Sequence, residues 1–144
     1  MLTLDQDQYD TLVAHARGDY PNEACALLGG TVVGEGLDAK LTVTKVFPIP
    51  NAEPSPTYYV GDPKAQLKAM NEIDDRDEEL VGIFHSHTFT EAYPSATDVG
   101  EARYPDAAYL IVSLADLDAP HLRGFRIVEG EITEIDVTVT GAAG

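Results

Sequence analysis

The chain of 144 residues has the size of one average domain, and with 44% hydrophobic residues it can bury about two thirds of the surface that its unfolded form exposes. This composition excludes a disordered or collagen-like chain and predicts a single domain over residues 1–144. The 25 acidic residues outnumber the nine lysines and arginines and give a formal net charge of −16, which argues against binding to nucleic acid or to an anionic membrane surface.

Three segments carry the signals of helices. Apolar residues spaced at i, i+3, i+4 and i+7 predict an amphipathic helix over residues 5–18. Asp62 can cap a second helix, because the proline that follows it fits the first helical position. A third and shorter helix is predicted to begin at Ser95. These helices occupy the front and the middle of the chain.

Six strand-like apolar runs lie between and after these helices, and the last two flank Glu129-Gly130, a pair typical of a tight hairpin turn. Four prolines between residues 48 and 56 predict an extended connection there, because proline cannot donate to a sheet ladder. Front helices followed by a terminal strand meander predict an α/β or α+β fold with a mixed β-sheet flanked by helices. The runs cover residues 24–28, 41–47, 80–86, 109–114, 123–128 and 131–139.

The pattern predicts neither membrane insertion nor secretion. Apolar stretches such as residues 109–114 are far shorter than the roughly 18 to 20 residues that cross a bilayer, and residues 1–10 are acidic and polar. Cys25 is the only cysteine, so the chain forms no intramolecular disulfide and fits a reducing compartment. We therefore expect a cytoplasmic protein. A homodimer is left open.

The stretch that ends the third predicted strand carries the most chemical information. If residues 80–87 form a strand, its period of two puts His85 and His87 on the same face. A loop of seven residues then leads to Ser95 at a helix start, where Asp98 projects from the first turn. Two imidazoles and one carboxylate make a three-ligand zinc set that leaves the fourth tetrahedral position to water, as catalytic zinc sites do. We therefore predict one zinc per chain.

Peptide hydrolysis at such a zinc also needs a proton carrier and a hydrogen-bond donor. Zinc lowers the pKa of a bound water to about 7, but a base must still take the proton and deliver it to a leaving amine. Glu23 is the best candidate, because it heads the apolar strand 24–28, which would carry it inward. The hydroxyl of Ser95 is spaced to lie beside the metal and can donate to a developing oxyanion.

Each of these residues also has an ordinary structural interpretation. Alternating histidines on a strand are commonly two half-exposed residues. Ser95 and Asp98 have the spacing of a capping pair at a helix start. Glu23 alone is typical of a surface acid. Cys25 is interpreted as a small buried hydrophobe, because no positive residue nearby would lower its thiol pKa.

Taken together, these residues resemble the JAMM (MPN+) metalloprotease motif E…H-x-H-x7-S-x2-D, with the internal spacing complete. The order of helices and strands follows that family over most of the chain. The resemblance implies a zinc peptidase or isopeptidase. It assigns the metal ligands to His85, His87 and Asp98, the general base to Glu23 and stabilisation of the oxyanion to Ser95.

Within that family, residues 85–99 are most similar to the bacterial Mec-type hydrolases, with further matches at 21–25, 74–79 and 125–128. Those enzymes release cysteine from the C-terminus of a ubiquitin-like sulfur-carrier protein, so the resemblance implies a carrier with a C-terminal glycine tail as partner. Phe89 departs from the small residue expected at its position. Two alternatives remain: an isopeptidase that removes ubiquitin-like modifiers from protein lysines, and an inactive MPN scaffold domain.

Overall fold

The computed structural model describes residues 1–141, which form an eight-stranded mixed sheet with helices on its two faces. This confirms the predicted fold class. The strands are β1 (Leu2–Asp5), β2 (Cys25–Val33), β3 (Lys40–Ile49), β4 (Glu79–His87), β5 (Ala108–Ser113), β6 (His121–Val128), β7 (Glu131–Ile135) and β8 (Val137–Thr140), and the helices are α1 (Gln6–Asp19), α2 (Pro63–Asp75) and α3 (Ala96–Glu101), with a short 3-10 turn at Gly36–Asp38.

The strand order is β7-β6-β5-β4-β2-β3-β1-β8. The β4–β5, β1–β3 and β1–β8 pairs are parallel, and the other neighbours are antiparallel. The register of β2 against β4 puts Cys25 opposite His85. The start of β2 therefore lies beside the end of β4, in two adjacent strands in the middle of the sheet. Polar side chains at these two strand ends come close together.

Alternation along β2 separates two apolar cores. Ala26 and Leu28 pack on one face with residues of α1 such as Leu12. Cys25 and Leu27 point to the other face, where they share a core with Ala69 of α2. Burying a leucine side chain stabilises the fold by about 1.5 to 3 kcal/mol. Contacts between their apolar sides and the sheet therefore hold both helices in place.

The predicted helix starts are confirmed. Asp5 caps α1 in a reciprocal capping box with Gln8. The side chain of Asp62 accepts a hydrogen bond from the Ala65 amide at the start of α2. Ser95 caps α3. Within residues 1–141, none of the helices is both long and apolar enough to cross a membrane.

The strand predictions are confirmed in the interior of the sheet and incomplete at its margins. Glu129 and Gly130 form the predicted turn, with φ of 51° and 81°. β3 continues through Pro48, which pairs with Ala26, so the extended connection begins later than predicted. Proline is tolerated there because β1 pairs only with Leu41 and Thr42 of β3, at the other end of the strand.

Two features of the sheet were not predicted. β1 is only four residues long, and its partners β3 and β8 lie far away in the sequence. The predicted strand 131–139 is divided at Asp136, where β7 pairs with β6 and β8 pairs with β1. The Leu2 amide donates to the Asp136 carbonyl at 2.9 Å. The chain therefore passes at this residue from one edge strand of the sheet, β7, to the other, β8.

Candidate metal centre

Three side chains that can bind a metal ion converge where β4 ends. His85 and His87 lie on the same side of the strand, and their Nε2 atoms are 3.1 Å apart. The first turn of α3 brings Asp98 Oδ2 to 3.1 Å from His85 Nε2 and to 3.0 Å from His87 Nε2. Both histidines are buried. The structure thus brings together the three residues that the sequence pattern selected as ligands.

The arrangement of these donors fits a tetrahedral metal ion. Ligands about 2.0 to 2.1 Å from a tetrahedral zinc are separated from one another by about 3.3 Å, close to the separations of the three donor atoms. Burial raises the pKa of Asp98, but hydrogen bonds from His85 and His87 outweigh burial and hold that pKa far below its usual range. Asp98 is therefore a carboxylate, the form that binds a metal.

The outer nitrogen of His87 is held by the loop that follows β4. His87 Nδ1 lies 2.8 Å from the carbonyl oxygen of Glu91, so an Nδ1–H can donate to that oxygen and orient the ring with its Nε2 among the three donor atoms. The Glu91 side chain is exposed, and the residue contributes through its backbone. This contact depends on the conformation of the loop, and the sequence pattern did not predict it.

His85 is held by stacking. The Tyr59 ring lies against the His85 ring with a centroid separation of 4.9 Å and an interplanar angle of 26°. His85 Nδ1 has no hydrogen-bond partner in the part of the chain that the structure describes. The face of this ligand is thus fixed by an aromatic contact that the sequence analysis missed, because Tyr59 belongs to an irregular segment between β3 and α2.

Ser95 and Asp98 also form the capping pair that was weighed against their functional interpretation. Ser95 Oγ accepts a hydrogen bond from the Asp98 amide at 3.1 Å, and Asp98 Oδ2 accepts one from the Ser95 amide at 2.8 Å. The two interpretations are compatible. Asp98 Oδ2 faces the histidines while it caps the helix, and the Ser95 hydroxyl accepts in the cap while its own proton can be donated elsewhere.

Glu23 lies beside the three donors as a buried acid. It lies two residues before β2, it is only 4% exposed, and its Oε1 has no hydrogen-bond partner within residues 1–141. Burial raises the pKa of Glu23 to about 7, although His87 opposes that shift. A carboxyl group with a pKa near neutrality can both accept and release a proton at physiological pH. The interpretation of Glu23 as a surface acid is wrong.

Cys25, His15 and His121 do not belong to the group of donors. Cys25 is buried, its Sγ contacts the Ile49 carbonyl at 3.4 Å, and burial raises its pKa to about 12. It is the small buried hydrophobe that was predicted. His15 faces the Cys25 carbonyl, and His121 is exposed at the start of β6.

The surroundings of the site are aromatic. A cavity of about 330 Å³ lies next to His85 and is walled by Cys25, Tyr59 and Tyr109. In the loop between β4 and α3, Phe89 is 61% exposed and contacts Tyr20 edge to face. Tyr59 thus joins this cavity to His85, and Phe89 is an exposed apolar side chain two residues after His87.

Comparison with known proteins gives matches over nearly the whole chain. The family model of prokaryotic homologs of the JAB domain matches residues 5–128. The CysO-cysteine peptidase of Mycobacterium tuberculosis is 47% identical over 139 residues, which cover 96% of this chain and 91% of that protein. The desampylase of Haloferax volcanii is 37% identical over 118 residues, or 78% and 80% of the two chains. The solution structure of a Desulfitobacterium hafniense protein superimposes with a TM-score of 0.87 at 37% identity, covering 99% of this chain and 94% of that one.

Proposed function

The chain belongs to the family of prokaryotic homologs of the JAB domain, and on that premise we propose that it is a zinc-dependent peptidase that releases cysteine from a ubiquitin-like sulfur-carrier protein. The bond cleaved is the amide after the C-terminal glycine of the carrier. The observation that carries the proposal is a buried Glu23 beside the His-His-Asp group, in a chain 47% identical to a CysO-cysteine peptidase. Residues 1–144 act as one domain, in the cytoplasm.

In this proposal His85, His87 and Asp98 hold one zinc ion per chain. When bound, zinc supplies Lewis-acid chemistry, acidifying water and polarising the carbonyl of the amide to be cleaved. Two imidazole nitrogens and a carboxylate oxygen are a donor set that zinc accepts. The same donors also accept several other divalent metals. Elemental analysis of the purified protein therefore decides whether the metal is zinc.

Glu23 and Ser95 carry the proton and the charge. Glu23 accepts a proton from the attacking water and delivers it to the amine that leaves, so that water adds to the carbonyl carbon while the C–N bond breaks. A pKa of about 7 suits both transfers. The free hydroxyl proton of Ser95 is donated to the carbonyl oxygen as negative charge develops there. Within residues 1–141, Glu23 Oε1 has no hydrogen-bond partner, and the Ser95 hydroxyl takes part in the helix cap only as an acceptor.

The segment 88–94 and the neighbouring strand margin select the substrate. Phe89 and Tyr93 are both partly exposed there, so only glycine-like residues fit beside the metal, and the carrier tail binds extended, by strand addition. A single cysteine is a small leaving group that such a site accommodates. A protein lysine requires an open exit for the rest of the target protein.

A second candidate function is removal of ubiquitin-like modifiers from protein lysines. It is favoured by one observation, the 37% identity to a protein named desampylase over 78% of this chain. An inactive scaffold is disfavoured, because all five residues of the motif are present and lie together.

The test compares two conjugates of one glycine-terminated carrier protein, one joined to cysteine and one joined to the side-chain amine of a lysine peptide. We expect a kcat/KM for cysteine release at least about tenfold higher, a difference of about 1.4 kcal/mol in transition-state binding. Equal or reversed values would reject cysteine release in favour of the isopeptidase. Cleavage of neither conjugate by the zinc-loaded protein would reject both. The Glu23→Gln variant, purified in the same way, controls for contaminating proteases.

A further inference from the structure

The segment between β3 and α2, residues 51–61, forms a loop whose base is closed by backbone hydrogen bonds and by one side chain. Asn51 and Gly61 pair in an isolated antiparallel bridge. Asn51 Oδ1 accepts hydrogen bonds from the Glu53 amide at 3.1 Å and from the Val60 amide at 3.0 Å. Asn51 thus ties the outgoing and returning halves of the loop together.

The closed loop reaches both strands that carry the site. At its tip, the Ser55 carbonyl accepts the Glu23 amide at 2.7 Å, and the Pro56 carbonyl accepts the Thr88 hydroxyl at 2.8 Å. Farther along, Tyr59 stacks on His85. The loop therefore contacts the segment that leads into β2, the residue after β4 and one of the proposed metal ligands.

The amide nitrogen of Asn51 makes the contact that distinguishes this residue. Asn51 Nδ2 donates to the Glu23 carbonyl at 2.9 Å, so both backbone polar groups of Glu23 are bound by the loop. The next residue, Ala24, is bound from the other side by Ser86, which lies between the two histidines: Ser86 Oγ accepts the Ala24 amide at 2.8 Å, and the Ser86 amide donates to the Ala24 carbonyl at 3.0 Å. Glu23 is thus fixed at the junction of the loop and β4.

Backbone fixation matters here because the carboxylate is not fixed by its own contacts. Glu23 lies outside the ladder of β2, which begins at Cys25. Its Oε1 has no hydrogen-bond partner in the part of the chain described. The position of that oxygen relative to the metal ligands therefore depends on where the Glu23 backbone is held.

We propose that Asn51 is a positioning residue for the reaction: through its side-chain amide it fixes the Glu23 backbone so that the carboxylate faces the His-His-Asp group. The inference rests on the proposed function, in which Glu23 is the base. A displacement of about 1 Å of a reacting group can cost about 100-fold in rate. Loss of the Asn51–Glu23 contact therefore lowers kcat. It leaves the metal ligands and the substrate contacts of segment 88–94 unchanged.

The substitution Asn51→Asp separates the two roles of this side chain. An aspartate still accepts the Glu53 and Val60 amides, so the loop stays closed, but its second oxygen repels the Glu23 carbonyl. We expect kcat for the carrier conjugate to fall by about 10- to 100-fold, with KM within about threefold of the wild type and one zinc still bound per chain. Asn71→Asp, on the exposed surface of α2, adds the same charge away from the site and should keep the wild-type kcat.

Amide hydrogen exchange of the metal-free protein gives a readout that needs no substrate. In Asn51→Asp we expect faster exchange in residues 20–25 and unchanged exchange in residues 83–86 and at Glu53 and Val60. Asn51→Ala serves if the aspartate variant does not fold. It loses all three contacts, so exchange in the loop should rise as well, and kcat should fall at least as far.

Three results would overturn the inference: a wild-type kcat in both Asn51 variants, an equal loss in Asn71→Asp, or a loss that appears only in KM or only through lost zinc. If the wild-type protein cleaves neither conjugate, the proposed function fails. Unchanged exchange in residues 20–25 of both Asn51 variants would by itself reject Asn51 as the residue that holds Glu23.

Discussion

Two ionisable side chains are buried at opposite ends of the central strands, and their surroundings differ. Arg126 of β6, 3% exposed, donates to the Pro105 carbonyl from Nε and Nη2, at 3.2 and 2.7 Å, and to the Gly36 carbonyl from Nη1 at 2.9 Å. Glu23, 4% exposed, has an oxygen with no partner in the described chain. Arg126 is thus hydrogen-bonded within the protein, whereas Glu23 Oε1 remains available to a group outside the described chain.

The difference separates a structural role from a chemical one. Arg126 joins the turn between β2 and β3 to the segment before β5, and its three hydrogen bonds offset the cost of burying a cation. Within residues 1–141 no hydrogen bond to Glu23 Oε1 offsets the cost of its burial, and its pKa rises to about 7 although His87 opposes the shift. A buried acid with a perturbed pKa beside metal-binding side chains is what a hydrolytic site requires. Substitutions at the two ends should therefore affect different properties.

The largest effect is expected at the metal ligands. His87→Ala removes a donor atom from the group of three, so the variant should bind no stoichiometric zinc and should cleave the carrier conjugate only at the uncatalysed background rate. Elemental analysis should give about one zinc per chain for the wild type. His121→Ala, at an exposed histidine, serves as the control and should keep both zinc and activity. Full zinc content in His87→Ala would reject the assignment of the ligands.

The next effect concerns the base. Glu23→Gln is nearly isosteric but cannot accept a proton, so kcat should fall by about 100- to 10,000-fold while zinc content is unchanged. The matched control is Glu91→Gln, because the Glu91 side chain is exposed and only its carbonyl contacts His87. Activity of Glu23→Gln within tenfold of the wild type, or a comparable loss in Glu91→Gln, would mean that another group is the base.

The sequence predicted Glu23 and the three donors much better than it predicted the role of Arg126. The spacing of His85, His87 and Asp98 is local, because a strand period and a helix start determine which side chains meet. Glu23 is 62 positions before His85, and its assignment needed the family motif as well as the apolar strand that follows it. Arg126 gave no such signal: its role depends on two carbonyls of irregular segments.

The contacts around the donors could not be predicted from the sequence either. Asn51, Tyr59 and the Glu91 carbonyl act from loops whose conformation follows no periodic pattern. β1 was missed for a related reason, since a strand of four residues carries little periodicity and pairs with distant parts of the chain. The sequence thus predicts residue types and their local spacing, whereas the packing of loops on the sheet decides what holds those residues in place.

At the opposite end, Arg126→Met should change stability and leave chemistry alone. Methionine fills most of the space but leaves the Pro105 and Gly36 carbonyls without their donors, which should lower the free energy of unfolding by about 3 to 5 kcal/mol. The kcat of the folded fraction should stay within about twofold of the wild type. Arg103→Met removes an exposed arginine and should cost less than about 0.5 kcal/mol. Denaturant unfolding measures both, and equal costs would show that the Arg126 contacts do not stabilise the fold.

The smallest effect is a pH dependence that only one of the two buried groups should show. Burial raises the pKa of Glu23 to about 7 in the folded protein from 4.5, so between these values the folded state binds a proton that the unfolded state has released. The stability of the metal-free protein therefore falls as pH rises through this window: the cost is absent below about pH 4.5 and complete above about pH 7. At about 1.4 kcal/mol per pKa unit, it reaches about 3 kcal/mol at most.

Glu23→Gln cannot titrate, so its unfolding free energy relative to the wild type should increase by about 2 to 3 kcal/mol between pH 4.5 and pH 8. The other acids and histidines titrate in both proteins and largely cancel in the difference. Arg126 stays charged throughout, and the corresponding difference between Arg126→Met and the wild type should therefore be flat. Denaturant unfolding with a chelator present, at several pH values, measures both differences. A flat difference for Glu23→Gln would mean that the Glu23 carboxylate is solvated or paired in the folded protein, and that the two ends of the sheet treat buried charge alike.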